Sequence, residues 1–274
     1  MASIVSGCIV IGGVSSLAVC RYYMLRCLLR FRSLALLPLC AAGFMAAAQQ
    51  GGDLQAQILY AFHSEDTNQL ASLIQTLSTQ LQAGGAPSAL HYHLAHAEYR
   101  LGLLAGESGR SAEPAFAGCI DQLKPVLSQD ANSAEALALQ SACYSNLAVF
   151  RKMEAVVLRS RAADRIGAAF KLAPTNPRVV FLMAVDTLAH GKPGSAENSQ
   201  GFALLQRAAQ LFEQSSATRV DAPGWGHAEA YLELGRQLEV RGDVLGARNW
   251  IEQALIASPD YKAAQRQLAG MVRR

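Results

Sequence analysis

The chain has 274 residues, 51% of them apolar, with 16% charged and 7% aromatic, which is ample apolar material for one or two packed domains. The formal net charge of +3 is concentrated at one end. Residues 1–48 hold Arg21, Arg26, Arg30 and Arg32 with no acid, leaving 20 bases against 21 acids in the remainder. A near-neutral body without basic runs excludes the electrostatic footprint of a nucleic-acid binder.

The first predicted element is a leader. Arg26, Arg30 and Arg32 precede an apolar centre, Leu34 to Phe44, which ends in Ala46-Ala47-Ala48. That is the order of a secretory signal peptide cleaved after Ala48. Upstream, Ser3 to Cys20 is a second uncharged apolar run; it anchors the protein in a membrane if translation starts at Met1. The reading taken here is a start at Met24, because the signal is complete from there. Lipidation is disfavoured, since Val19 and Leu39 precede Cys20 and Cys40. The domain division expected is a leader over 1–48 and a helical domain over 49–274, exported to the periplasm. Cys119 and Cys143 are then the only cysteines of the body. An oxidising compartment permits them to pair; the reading favoured is two small buried helical residues.

From Asp53 onward alanine and leucine dominate, which favours helix because both lose little side-chain entropy there. Breakers at Gly84-Gly85, Gly106 to Gly109, Gly191 to Gly194 and Gly242-Asp243 divide the chain into helices. The expected pairs are 53–63 with 66–82, 87–104 with 112–129, and 134–150 with 155–172. They continue as 177–190 with 199–214 and 226–241 with 243–257, closed by a helix over 260–272. Asn176 and Pro177 supply a cap and a first-turn proline.

Small residues recur at fixed spacing: Ala162, Ala169 and Pro174, and again Ala247, Ala254 and Pro259. Weaker sets are Ala71/Ser78/Ala83, Cys119/Val126/Ala131 and Gly201/Ala208/Glu213. Residues seven apart return to nearly the same helix face, so small ones mark close helix approaches. The last unit, with Tyr231, Leu234, Gly235, Leu238, Gly242, Ala247, Ile251, Ala254, Leu255 and Pro259, resembles a tetratricopeptide repeat. Tyr92, Ala95 and Tyr99, then Leu137, Ser141 and Tyr144, carry weaker forms of the pattern. The resemblance implies an all-α, tetratricopeptide-like array of about five antiparallel helix pairs with a C-terminal capping helix. The spacing between units, 39–48 residues, exceeds the family's usual period of about 34, so an irregular array is expected.

No catalytic or cofactor motif emerges. "GKPGSAENSQG" (191–201) lacks the order of a phosphate loop and reads as an insertion loop, and "GESGR" (106–110) lacks the strand of a nucleophile elbow. His93 and His96 share a helix face, and a metal or small ligand there is the alternative function considered. A membrane-tethered assembly factor is another.

The resemblance implies a non-enzymatic scaffold that binds a protein or peptide on its concave face. No nucleic acid is expected, and membrane contact is expected only through an uncleaved leader. The face would present His93 and Arg100 from the second unit, Asn146 from the third, and Arg178 and Phe181 from the fourth. The last unit would add Glu229, Leu232, Arg236 and Glu239. Trp225 is expected at a joint between units four and five, with Gly226 easing the bend.

Overall fold

In the computed structural model, residues 53–84, 88–216 and 225–272 are described. The expectations for the leader, its cysteines and the start codon fall on residues outside these. The described chain is a succession of helices: α1 over 53–63, α2 Thr67–Gln82, α3 Ser88–Glu107, α4 Glu113–Gln129, α5 Ala134–Phe150, α6 Ala155–Leu172, α7 Pro177–His190, α8 Ala196–Ser216, α9 His227–Val240, α10 Val244–Ala257 and α11 Lys262–Val272. No strand occurs among the described residues. Among them, too, no helix is long and apolar enough to cross a membrane.

Local chemistry sets the boundaries. Asp66, Asn176 and Asp243 each accept a hydrogen bond from a backbone N–H of the first turn that follows, satisfying donors that a helix start leaves orphaned. Two boundaries differ from expectation by three residues. The stretch read as an insertion loop is already helical from Ala196, where Ser195 Oγ accepts from Asn198 N at 3.2 Å. The helix read as ending at Leu104 continues to Glu107, because Gly106 faces open space and costs propensity without a clash.

Packing is closest within the pairs α3/α4, α5/α6, α7/α8 and α9/α10. The small residues sit where these helices meet: Ala162, Ala169, Ala247 and Ala254 are buried. A Cβ on Gly235 would lie 2.6 Å from Ile251 Cγ1 and 3.0 Å from the Ala247 carbonyl oxygen, so α9 and α10 need glycine there. The first unit departs from the pattern. Ala71 and Ala83 are exposed, while Leu70 and Leu77 are fully buried; burying two leucines stabilises more than burying two small residues.

Cys119 of α4 and Cys143 of α5 form a disulfide, which corrects the expectation of two unpaired thiols. They lie on helices of adjacent pairs, and their spacing in sequence carries no sign that the two side chains face each other.

Two apolar clusters fill the array. One gathers α3 to α6 around the disulfide; the other runs from Ile58 and Phe62 of α1 to Tyr261 and Ala264 at the far end. The ends of the array therefore meet. The His63 ring stacks on Tyr261 at 4.1 Å, and Arg266 of α11 pairs with Glu65.

Candidate partner-binding surface

The closure of the array decides what the first helices can offer. Glu229 on α9 forms an ion pair with Arg100 on α3, and the two side chains are 7% and 3% exposed. His63 Nε2 of α1 lies 3.6 Å from the same carboxylate. Arg100 Nε donates to His96 Nε2 at 2.9 Å, and its guanidinium stands 4.4 Å over the Phe62 ring and 5.3 Å from that of Trp225. Glu229 also accepts from Gly226 N at 2.9 Å. Gly226 takes φ 95°, a left-handed conformation suited to glycine, and this turns the chain from Trp225 into α9.

Burial alone would push the Glu229 pKa up, but the Arg100 guanidinium and then His63 hold it well below the usual carboxylate range. Burial, then Arg100, push His96 well down. Since Nε2 of His96 accepts from Arg100, the neutral ring carries its proton on Nδ1, and neither nitrogen keeps a lone pair for a metal. The His93/His96 pair of the alternative reading is thus not assembled for a cation. Among the described residues, no three His, Cys, Asp or Glu side chains converge as a metal site.

Of the nine expected contact residues, Arg100, Phe181, Glu229 and Leu232 are buried. This corrects the picture of an open concave lining at those four positions: α9 has closed onto α3 and α1, so the lining faces itself. Arg178 is engaged within the chain too. Its Nη1 lies 3.0 Å from both carboxylate oxygens of Glu135, and its Nε donates to the Trp225 carbonyl at 3.3 Å. Glu135 also accepts from Asn176 Nδ2 at 2.9 Å and from the Tyr92 hydroxyl at 3.3 Å. Trp225 is buried against helices of units two and four, which widens its expected role as a joint between units four and five. Asn146 donates to Ala142 of its own helix at 2.8 Å, Arg236 lies 3.7 Å from Glu233, and Glu239 accepts from Gln267.

His93, partly exposed, borders a recess. It helps line this space, of about 380 Å³, with Ser88 and Tyr92 of α3, Val126 of α4, Glu135 of α5 and Asn176. Burial pushes its pKa down, and its Nδ1 has no hydrogen-bond partner.

The fold and this surface define an all-α helix-pair repeat protein with a closed interior and a recess at the starts of its first helices. No protein-family profile matches the chain, and a search of curated proteins finds no match. Among solved structures, the crystal structure of MamA overlaps 72% of this chain and 92% of its own length, at 17% identity and a TM-score of 0.37. A likeness at that level carries no argument about function.

Proposed function

We propose that the protein is an interaction scaffold of helix pairs that binds a protein or peptide partner at the recess beside His93, and that it acts after export to the cell envelope. The recess carries the reading: first helices of adjacent pairs border it with apolar walls, the Glu135 carboxylate and the His93 ring. Such mixed walls suit an extended peptide. The Cys119–Cys143 bond supports an oxidising compartment.

A second surface has its own observation. The turn between α5 and α6 exposes Met153 fully and Val156 to 81%, beside Val149 and Val157; apolar residues grouped this way commonly mark contact surfaces. A photoreactive side chain placed at His93, and separately at Met153, distinguishes the two. Crosslinking of an envelope protein from His93 supports the recess. Crosslinking from Met153 alone moves the partner to the turn, and silence at both positions removes the scaffold reading.

A further inference from the structure

The corner where α5 turns into α6 carries Val149, Phe150, Met153, Val156 and Val157, all of them exposed. Met153 has none of its surface covered, so the corner projects from the helix pair instead of lining a cleft. Along α6 the buried side is Leu158, Ala162, Ile166 and Ala169. At about 3.6 residues per turn, the opposite side is a line of Val156, Ser160, Ala163 and Gly167, with open space over Gly167. Arg159 flanks that line on one side, and Arg161 and Arg165 flank it on the other.

The charge around this apolar ridge is of one dominant sign. Residues 149–165 hold five bases, Arg151, Lys152, Arg159, Arg161 and Arg165, against Glu154 and Asp164, in a body that is otherwise acidic on balance. Arg151 is committed to Glu113 at 2.8 Å and lies 3.9 Å from Glu154. Lys152, Arg159, Arg161 and Arg165 are exposed, and among the described residues none of the four is in an ion pair. Apolar side chains gathered on a projecting corner gain by leaving water. The cations around them gain by meeting anions.

We propose that this corner docks on an anionic phospholipid surface. Met153, Val156 and Val157 enter the headgroup boundary, while Lys152, Arg159, Arg161 and Arg165 meet lipid phosphates. Helices that lie in a membrane interface are held in the same way, with the apolar face down and Lys and Arg around it. A second copy of the chain fits worse, because two such corners face to face bring basic rim against basic rim. An acidic protein groove matches the charge, but it must be shaped to a ridge and to four scattered cations; a fluid layer of anions conforms to both. The docking takes up the second surface named above and does not rest on the recess at His93, so a recess that binds nothing leaves it standing.

The test is flotation of the full chain with vesicles of phosphatidylcholine alone, and with about 30 mol% phosphatidylglycerol added to make the surface negative. Each comparison sets the wild type against its own variants, so that anything residues 1–48 contribute is common to all. The wild type is expected to partition onto the anionic vesicles at least about tenfold better than onto the neutral ones. Most of that preference should vanish at about 1 M salt, where the Debye length is about 3 Å. Met153→Asp combined with Val156→Asp should lower partitioning by at least about tenfold. Arg159→Glu combined with Arg161→Glu should abolish the preference for anionic vesicles. All four positions are exposed, so helical circular dichroism and melting should stay as in the wild type. Met153→Trp adds a direct reading over the background of Trp225 and Trp250: its emission should shift to the blue and be quenched by brominated acyl chains.

Quenching in that variant, together with the loss in both double variants, carries the proposal. Equal flotation of the wild type and both double variants overturns it, as does Met153→Trp emission that anionic vesicles leave unchanged. Crosslinking of Met153 to an envelope protein without vesicle binding overturns it too, and assigns the corner to an acidic protein groove.

Discussion

Glu229 and Glu98 are both glutamates on first helices, and both are removed from solvent to a large degree, yet they sit in opposite electrostatic worlds. In the closed interior Glu229 meets Arg100, His63 and the Gly226 N–H, and its carboxyl stays ionised far into acid. At the outer wall Glu98 meets Gly118, apolar side chains and the charge of Asp121, and its carboxyl holds its proton to about pH 8. Burial penalises the charge in each case. The sign of the outcome is set by whether a cation has been brought alongside. In the interior the fold supplies that cation from a residue 129 positions away; at the outer wall it leaves the place empty.

The largest way to break the comparison is to strip the interior of its cation. Arg100→Met leaves Glu229 buried and unpaired, and should cost about 3–5 kcal/mol of unfolding free energy, measured by urea denaturation at pH 7. Adding Glu229→Gln should restore a large part of that loss, because the uncompensated charge is gone; strictly additive losses would show that the pair is not coupled. Reducing the Cys119–Cys143 bond, which closes a separation of 24 residues, should cost about 3 kcal/mol and loosen α4 against α5. If reduction leaves the melting temperature unchanged, the bond does not constrain the unfolded chain.

The pH profile sharpens the contrast. The Glu98 pKa is raised on folding, so its contribution is fully present below about pH 4.3, the unfolded value, and is lost as pH rises through about 8. Glu98→Gln should therefore gain on the wild type by about 2 kcal/mol at pH 8, the full shift being cut by more than half for the side chain's partial exposure to solvent, with the gain vanishing near pH 4. The Glu229 pKa is depressed, so its contribution is present above the unfolded value and lost as pH falls below it. The two windows do not overlap: from about pH 8 down to about pH 4 the wild type gains stability that Glu98→Gln does not, and below about pH 4 both lose stability alike through Glu229. The smallest effect belongs to the exposed pair Arg248–Glu252 on α10, 2.8 Å apart. Arg248→Ala should change stability by no more than about 0.5 kcal/mol; a larger loss would mean that surface pairs here do more than solvent screening allows.

The helix map was legible because its signals are local. A cap such as Asn176, a proline after it and a glycine pair between apolar runs act over one turn of chain, so bounds over 134–150, 155–172 and 177–190 were read without tertiary information. The close approach at Gly235 was legible too, because a small residue in a repeat has one common use. The first unit misled: Ala71, Ser78 and Ala83 keep the spacing, but the leucines at 70 and 77 outweigh them in burial.

The sites were much less legible. Arg100, Arg178 and Glu229 looked like charges awaiting a partner, since a first-helix position in such an array usually faces a groove. Nothing near them in sequence announces that Glu135, His63 and Trp225 would fill that role. The disulfide was hidden for the same reason, because two cysteines on successive helices carry no mark of facing each other. The leftover oxygen of Glu98 is still harder to read, being the absence of a neighbour that only packing could have provided.

The sequence by itself determined that this chain is helical, where most of its helices begin and end, and which of them pair. These follow from backbone propensity, capping and periodicity, all of which act within a few residues. The tertiary structure alone decided that the array closes on itself, which glutamate received a cation and which surfaces were left open. Those outcomes depend on distances between residues that lie on different helices, as far as 129 positions apart, and a charge's pKa and availability follow from that surrounding rather than from its place in the repeat.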